Sequence, residues 1–584
     1  MKPSPCPGEP DDFRRSVRWW EGFFCGLVVV VAIVASRPYA EMGFIDDWSY
    51  VKTAFEYART GHFVYNGWAT AMLGWQILWG AWFVKLFGYS FTAARLSMLP
   101  VDLVSIWLFY SILGRFGITR RNAVFGALCL GLSPLFIPLG ASYMTDVPGL
   151  FVILLCLYLC LRALDARQDR AALLWLAAAA VSNVAGGTVR QIAWLGALVM
   201  VPSAAWMMRR RRGVLIAGAV LWALSAVTIF ICLQWWKRQP YSVPEHIVQG
   251  PVSAAMVAHL LVELLKAVLC TCLLVFPILT AWLPRYKTLP RKARIAIPTL
   301  LAVLAGFAFA LHLHGSLEHR VAPWLGHVIG TESMFSSTGE MLGTRPVTIN
   351  LLWRTVLSLA VIGVAGICLS YTALCHQANR KALDTRLRKA VFLLGSYAAS
   401  YFCLLIPRGL YSFIYDRYLL GVFPVAIIVL LLSYEKEVWE GLPGWLFFVL
   451  GAVSLYGVAA THDWFALNRA RVQAFALVRA TGVEPTRIQG GFELDGWTQL
   501  EYARSMNWAA NGTSSNIYRA YSIDTGLAPA CRLDFSAYTP AVKPEYFIVF
   551  NSMPCLSPSD LGPTAYWNWL PPHRRFVFIE RRPK

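Results

Sequence analysis

The sequence is short of charge. Only 14% of its 584 residues are Asp, Glu, Lys or Arg, whereas 57% are hydrophobic, and the mean hydropathy is +0.52. A soluble globular fold rarely carries so high a share of apolar residues. The composition therefore predicts a polytopic membrane protein. The 24 Trp and 24 Tyr agree with this, because amphipathic rings favour the depth of lipid headgroups.

Several short motifs are also missing. The sequence contains no Walker motif, GxGxxG fingerprint, HExxH or GxSxG, no repeat of fixed period, and no zinc spacing among its 13 cysteines. These absences remove the sequence support for a P-loop, a dinucleotide fold, a zinc protease and a serine hydrolase. Acidic residues are few, 32 against 52 Lys and Arg, which gives a formal charge of +20. Because the basic residues cluster between apolar runs, the positive-inside rule explains the excess, and no nucleic-acid partner is predicted.

Apolar runs long enough for a ~30 Å hydrocarbon core predict about thirteen transmembrane helices. The first, 23–36, is taken as an uncleaved span because Arg37-Pro38-Tyr39-Ala40 is a poor signal-peptidase site. The apolar stretch 69–87 is predicted to be a juxtamembrane or re-entrant helix, since a full span there would move Arg115 to the outside. The other runs are 92–114, 121–139, 147–164, 171–186, 188–207, 213–235, 256–283, 295–312, 351–374, 389–406, 418–434 and 444–461.

Composition predicts three regions: a cytoplasmic tail at 1–20, a transmembrane catalytic domain at 21–461, and a small soluble α/β domain at 462–584. An odd number of spans places this last domain outside the cytoplasm, with a helix near Arg469 to Thr481 and a strand at Tyr546 to Phe550. Its two cysteines, Cys531 and Cys555, are predicted to form a disulfide. The segment 313–350, with Ser336-Ser337-Thr338-Gly339 at its centre, is predicted to be a mobile loop that covers a site.

Acidic residues stand at two predicted loop-to-span junctions on the outer side. Asp46 and Asp47 follow the first span, and Asp146 precedes Val147-Pro148 at the start of a later one. A structural interpretation makes the first two a solvated capping pair and Asp146 an N-cap. A functional interpretation makes one of the pair a general base on an acceptor hydroxyl, with its neighbour or Asp146 positioning that acceptor or a divalent cation.

Three basic residues are predicted at outer ends of spans: Lys85, Arg190 and Arg417. Each has a plain interpretation as a side chain that reaches to lipid headgroups. A phosphate or pyrophosphate leaving group at the membrane surface would need such cations, and arginine suits it because of its two-pronged geometry. The sequence thus predicts Lys85, Arg190 and Arg417 as substrate-binding residues. Asp47 and Asp146 are the candidate ligands for Mg²⁺ or Mn²⁺.

Four stretches together resemble the GT-C membrane glycosyltransferases, in particular the bacterial proteins related to protein O-mannosyltransferases and lipid A aminoarabinose transferases. They are Asp46 to Tyr50, Phe87-Gly88-Tyr89-Ser90 with Ala94-Arg95-Leu96, Leu132 to Phe136 leading to Thr145-Asp146-Val147-Pro148, and Asp416-Arg417-Tyr418-Leu419. The resemblance implies that Asp46 is the catalytic base and Asp146 the second acidic position. Asp47 stands where the family commonly has Glu. The resemblance also implies a sugar donor carried on a polyprenyl phosphate.

The sequence therefore predicts a glycosyltransferase that moves a sugar from a polyprenyl-phosphate donor to a hydroxyl of a lipid, glycan or protein. It would lie among the lipids of the bacterial inner membrane, with its N-terminus cytoplasmic and its site and C-terminal domain periplasmic. A transporter or lipid flippase is the alternative, although such proteins usually place ionisable residues near the bilayer midplane. An inactive scaffold that anchors the C-terminal domain is a third interpretation.

Overall fold

The structure of the chain is a computed structural model that describes residues 18–243, 250–335, 341–378, 385–438, 441–502, 528 and 531–583. Helices make up most of it. Their bounds are α1 Trp19–Ala35, α2 Asp47–Thr60, α3 Gly74–Phe87, α4 Phe91–Leu96, α5 Leu99–Arg115, α6 Arg120–Gly131, α7 Phe136–Gly140, α8 Asp146–Asp165, α9 Asp169–Gly186, α10 Val201–Met207, α11 Arg212–Lys237, α12 Ala254–Leu274, α13 Phe276–Leu279, α14 Arg291–Leu313, α15 Leu351–Ala378, α16 Thr385–Ala390, α17 Ser396–Tyr411, α18 Phe423–Val438, α19 Leu446–Ala480 and α20 Phe492–Tyr502.

Eight helices in the described part of the chain are long and apolar enough to cross a membrane. They are Phe91–Arg115, Asp146–Asp165, Arg212–Lys237, Ala254–Leu274, Arg291–Leu313, Leu351–His376, Arg386–Tyr411 and Leu446–Ala480. The remaining five of the thirteen predicted runs are also helical, but they are shorter, interrupted or less apolar. Run 121–139, for example, is split into α6 and α7 around Ser133-Pro134. The predicted class, a helical polytopic membrane protein with a small C-terminal α/β region, is confirmed.

Helix ends that the sequence predicts on the same side of the membrane lie close together in the structure. At the end of α8 away from Asp146, Asp165 pairs with Arg115 and with Lys389, each at 2.8 Å. Arg211 approaches Asp169 at 3.6 Å. These are all ends that the charge pattern placed inside. The ends that it placed outside gather at the opposite end of α8, which is about 30 Å long. The helix arrangement thus has one strongly basic end and one end that holds a cavity.

The stretch from 69 to 87 contains a helix, α3, of only 14 residues. At 1.5 Å per residue it is about 21 Å long, which is less than the hydrocarbon core of a bilayer. Its first residue, Gly74, lies so close to the turn at 186–190 that a Cβ would be 1.9 Å from the Thr188 hydroxyl. The Leu73 N–H donates to the Val189 carbonyl at 3.3 Å. Glycine at 74 therefore lets α3 pack directly on the turn that precedes Arg190.

The predicted domain boundary at 461/462 lies inside a single helix, because α19 continues without a break from Leu446 to Ala480. The polar residues that suggested a boundary are buried within the protein. His462 contacts Asp463 at 3.0 Å, and the Asp463 carboxylate accepts the N–H groups of Trp569 and Leu570 at 2.7 and 2.9 Å. This helix therefore ties the C-terminal region to the helical bundle.

The C-terminal region contains a small mixed sheet and α20. Its strands are β3 Ile488–Gln489, β4 Tyr546–Val549, β5 Ser557–Pro558, β6 Thr564–Trp569 and β7 Pro572–Arg581. The order is β3-β4-β7-β5, β6 also pairs with β7, and only the β3–β4 pair is parallel. The predicted strand at Tyr546 to Phe550 is confirmed as β4. The predicted disulfide between Cys531 and Cys555 is present, with Cα atoms 6.3 Å apart.

The segment 313–350 contains a two-stranded hairpin of β1 Ile329–Gly330 and β2 Ser333–Met334. The Ser336 to Gly339 stretch lies outside the described residues. Elsewhere the segment is well packed, with Val328, Met334 and Phe335 buried. The Val328 and Ile329 N–H groups donate to Asp416 at 3.0 and 2.7 Å. The predicted mobile loop thus includes a stretch, 321–335, whose aromatic and aliphatic residues are inserted into the core.

Candidate active site

A cavity of about 1090 Å³ lies between the helix ends that the sequence predicts on the outer side and the C-terminal region. Its volume is slightly above the range of about 300–1,000 Å³ that is usual for small-molecule sites. Its walls come from the loop before α2, the start of α8, the turn before α10, the end of α11, the 325–335 segment, the end of α17 and the C-terminal region. The cavity is therefore large enough for a ligand bigger than most single small molecules.

Asp46 lines this cavity just before α2. Ile45 has a φ of 51°, and this left-handed residue turns the chain immediately before Asp46. One oxygen, Oδ1, accepts the Trp68 indole N–H at 2.9 Å, and Oδ2 is 3.5 Å from Nη1 of Arg417. The side chain is 17% exposed, so part of it faces the cavity. The Asp46 carboxylate is therefore fixed by two partners and accessible to a ligand.

Asp146 lines the same cavity at the first position of α8. The N-cap is Thr145, and Asp146 makes no capping hydrogen bond, so the predicted capping role is wrong. Oδ1 instead pairs with Nη1 of Arg190. Oδ2 is buried and has no hydrogen-bond partner among the described residues. A buried carboxylate oxygen without a hydrogen-bond donor costs free energy, and a ligand that donates to it would remove that cost.

Asp47 does not line the cavity, although the sequence predicts it as a catalytic and metal-binding residue. It is fully buried and accepts the N–H groups of Phe44 and Tyr143 at 2.5 and 3.1 Å. The Arg95 guanidinium lies 3.4 Å from its Oδ2. Burial raises the pKa of Asp47, and Arg95 and the two N–H groups oppose that rise. The carboxylate connects the loop of Asp46 to the loop of Asp146 and is a positioning residue.

Arg190 and Arg417 both line the cavity, as the sequence predicted. The guanidinium of each lies over the Tyr418 ring, at 5.5 and 5.6 Å from its centre. Arg417 is also 5.7 Å from the Tyr415 ring. Stacking on aromatic faces holds a guanidinium plane in place without consuming all of its N–H groups. Nε of Arg417 is buried without a hydrogen-bond partner among the described residues.

Lys85, like Asp47, is a predicted site residue that the structure places outside the cavity. It is exposed on α3 and does not line the cavity. It lies in the last turn of α3, three turns after Gly74, which contacts the turn at 186–190. Its prediction rested on nearness to an apolar run, and this criterion does not specify a helix face.

Two cations that line the cavity were missed, Arg408 and Lys237. Arg408 lies near the end of α17, with its guanidinium 5.7 Å from the centre of the Tyr418 ring. Lys237 is the last residue of α11. Both stand at outer ends of predicted spans, so the rule that selected Arg417 would have selected them too. Arg408 and Arg417 both lie over the Tyr418 ring, so the arginine and tyrosine side chains between α17 and α18 form one stacked group.

His327 is a further cavity residue that sequence reasoning missed. Its ring lies 4.3 Å from that of Tyr415, and its Nδ1 is buried without a partner in the described structure. Burial, with the nearby charge of Arg417, lowers the pKa of His327 well below its ordinary value. Neighbouring Asp416 has its pKa raised to about 6 by burial, despite three N–H donors. No sequence signal marked His327, because its position depends on the hairpin of β1 and β2.

The residues present do not fit a divalent metal. Asp46 and Asp146 each already meet an arginine, and Asp47 points to N–H groups outside the cavity. Among the described residues, no group of three His, Cys, Asp or Glu side chains is close enough to hold an ion. Mg²⁺ and Mn²⁺ prefer several oxygen ligands without competing cations. The buried Asp146 Oδ2, His327 Nδ1 and Arg417 Nε suit a ligand with hydroxyl and phosphate groups better.

Comparison with known sequences supports the resemblance over part of the chain. Residues 72–236 match the dolichyl-phosphate-mannose-protein mannosyltransferase family profile. This confirms the resemblance that the motifs indicated. The match includes Asp146 and Arg190 and ends before Arg417. No curated protein sequence matches the chain.

Solved structures of low identity resemble the fold. ArnT from Cupriavidus metallidurans, bound to undecaprenyl phosphate, is 13% identical with a TM-score of 0.37, over 95% of this chain and 97% of ArnT. The archaeal oligosaccharyltransferase AglB from Archaeoglobus fulgidus is 13% identical with a TM-score of 0.40, over 79% of this chain and 58% of AglB. The S. cerevisiae protein O-mannosyltransferase Pmt1-Pmt2 complex, bound to the sugar donor, is 14% identical with a TM-score of 0.30. The alignment covers 38% of this chain and only 35% of that one.

Proposed function

We propose that this protein is a GT-C type glycosyltransferase that moves a sugar from a polyprenyl-phosphate donor to an acceptor hydroxyl. The observation that carries the proposal is one cavity holding two carboxylates, Asp46 and Asp146, each beside a stacked arginine. The family match over 72–236 supports the same reaction class. The protein would lie in the bacterial inner membrane, with its N-terminus cytoplasmic and the cavity end of the bundle facing the periplasm.

The cavity offers different surfaces to the two substrates. One side has apolar residues from membrane-length helices, Leu233, Leu404 and Leu405, together with four cations. The apolar residues suit a polyprenyl chain, and the cations suit its phosphate. The cations are Arg190, Lys237, Arg408 and Arg417. The part of the lining that comes from the C-terminal region contains no membrane-length helix in the described structure, so we assign it, together with the adjoining Trp68, to the acceptor.

Asp46 is the proposed general base because it lies between these two sides. Its Oδ1 meets Trp68, which belongs to the acceptor side, and its Oδ2 meets Arg417, which belongs to the donor side. The acceptor oxygen attacks the anomeric carbon and forms the new C–O bond while its proton passes to Asp46. The bond from that carbon to the phosphate oxygen breaks, and its electron pair leaves with the polyprenyl phosphate. Attack opposite the leaving group inverts the anomeric centre.

The arginines stabilise the charge that develops on the leaving phosphate. Arg417 touches both the Asp46 carboxylate and, in this proposal, the phosphate, so it aligns the base with the bond that breaks. Asp146 orients Arg190 and presents its free Oδ2 to a sugar hydroxyl. Asp47 acts only through Asp46 and Asp146, by fixing the loops that carry them.

The experiment is to incubate the detergent-purified full-length protein with a radiolabelled polyprenyl-phosphate sugar and a membrane extract as acceptor source. We expect free polyprenyl phosphate and a labelled product to appear in equal amounts. A transporter or flippase would move the donor without cleaving it, so an intact donor in this assay, after proven binding, would contradict the proposal. Protein with Asp46→Asn serves as the inactive reference.

A further inference from the structure

Four aromatic side chains line the acceptor side of the cavity as one surface, called the aromatic wall: Trp68, Phe492, Phe535 and Tyr538. Their ring centres lie 4.4 to 6.4 Å apart. Phe535 and Tyr538 are nearly parallel, at 25°, and both stand almost perpendicular to Trp68. The wall is thus a corner with two flat aromatic faces. Tyr538 is 42% exposed at its rim.

The aromatic wall adjoins the proposed base directly. Trp68 donates its indole N–H to Asp46 Oδ1 at 2.9 Å, and Tyr538 lies 6.4 Å from Trp68. A ring of pyranose size that rests on the wall would therefore bring its hydroxyl groups to Asp46. Of the donor-side cations, Arg417 adjoins the other oxygen of Asp46, at 3.5 Å.

The chemistry of this wall suits a neutral sugar. The C–H face of a pyranose is apolar and slightly positive, which matches the negative face of an aromatic ring. Its hydroxyl groups need polar partners at the edge of the wall, and the carboxylates of Asp46, Asp534 and Glu493 line the same cavity there. Of these, Glu493 is paired with Arg471, whereas Asp534 is exposed.

Other acceptor classes fit less well. A phosphorylated acceptor would bring negative charge to Asp46 and Asp534, and within the described structure the wall itself contains no cation. An extended peptide commonly pairs with a free strand edge. The residues of the wall instead lie in α20, in the turn Asp534–Tyr538 and in the loop after α2.

We infer that the aromatic wall is the acceptor subsite and that the acceptor is a neutral saccharide, one ring of which stacks on Trp68 and Tyr538. This inference rests on the proposed function, because it names the acceptor class for the same cavity. The transfer step is unchanged: a sugar hydroxyl supplies the attacking oxygen, its proton goes to Asp46, and the electron pair of the broken bond leaves with the phosphate.

Saturation-transfer NMR on the full-length purified protein tests the inference with mannotriose, chitotriose and a threonine-containing hexapeptide as probes. We expect transfer to the C–H protons of one sugar face and none to the peptide. Tyr538→Ala should weaken saccharide binding by roughly three- to tenfold, the range for losing one ring contact. Tyr502→Ala is the matched control, since Tyr502 is 52% exposed and outside the cavity.

Peptide binding without saccharide binding would overturn the inference, as would contact with none of the three probes. Equal saccharide binding by the wild type, Tyr538→Ala and Tyr502→Ala would also overturn it, because the contact would then lie elsewhere. The donor-cleavage assay keeps the two proposals apart. If the donor is cleaved but saccharides do not bind at the aromatic wall, only the acceptor inference fails. If bound donor stays intact, the proposed function fails whatever the saccharides do.

Discussion

Replacing Asp47 should damage the fold, whereas replacing its neighbour Asp46 should not. Asp47 is fully buried and accepts two backbone N–H groups beside Arg95, which is itself buried. Asp47→Asn leaves the Arg95 charge without its counter-ion and places an amide against N–H donors. Breaking a buried ion pair by removing one partner costs about 3–5 kcal/mol. Asp46 is partly exposed and meets Arg417 only at 3.5 Å, so Asp46→Asn should cost much less.

The assay is thermal unfolding of the purified variants, followed by intrinsic fluorescence in the same detergent. Asp47→Asn should unfold at a clearly lower temperature than the wild type, and Asp46→Asn close to it. Donor cleavage, measured on protein that remains folded, should fall in both. A variant with Asp47→Asn that unfolds like the wild type but has lost cleavage would refute the positioning role and restore Asp47 to the catalytic group.

Three further outcomes are expected. Arg190→Gln and Arg417→Gln should each weaken binding of polyprenyl phosphate about tenfold or more, and Lys85→Gln should not, because Lys85 is exposed outside the cavity. Equal binding by all three variants would contradict the donor assignment. Loss of the disulfide in Cys531→Ser should lower the stability of the C-terminal region by roughly 2–4 kcal/mol, and unchanged urea unfolding would argue against it. Limited proteolysis without donor should leave 321–335 uncut, because its side chains are buried, and rapid cleavage there would revive the mobile-loop prediction.

The helical architecture and part of the site were predictable because both follow from local composition. Runs of apolar residues fix where helices form, and the charge pattern groups their ends correctly, as the contacts of Asp165 with Arg115 and Lys389 show. Asp46, Asp146 and Arg417 were predicted because they stand at such ends, and the structure brings them to one cavity. The position of Asp47 outside the cavity was not predictable, because the sequence does not reveal that Arg95 and the Tyr143 N–H converge on its carboxylate.

The remaining site depends on long-range packing. His327 reaches the cavity through a hairpin held by Asp416, which is 89 positions later in the chain. The aromatic wall joins Trp68 to Phe535 across more than four hundred residues. The predicted boundary at 462 falls within α19 because buried polar groups such as Asp463 resemble a solvent-exposed segment in composition alone.

The most direct test of the account is the rate of sugar transfer by Asp46→Asn. Donor cleavage is measured with the purified variant, the wild type and Asp560→Asn, whose aspartate is 95% exposed and far from any assigned role. Asp46→Asn should slow transfer by about 10²-fold or more, the usual effect of losing a general base, while polyprenyl-phosphate binding and the unfolding temperature stay near those of the wild type. Asp560→Asn should transfer normally. A transfer rate for Asp46→Asn equal to that of the wild type would contradict the assignment of Asp46 as the base.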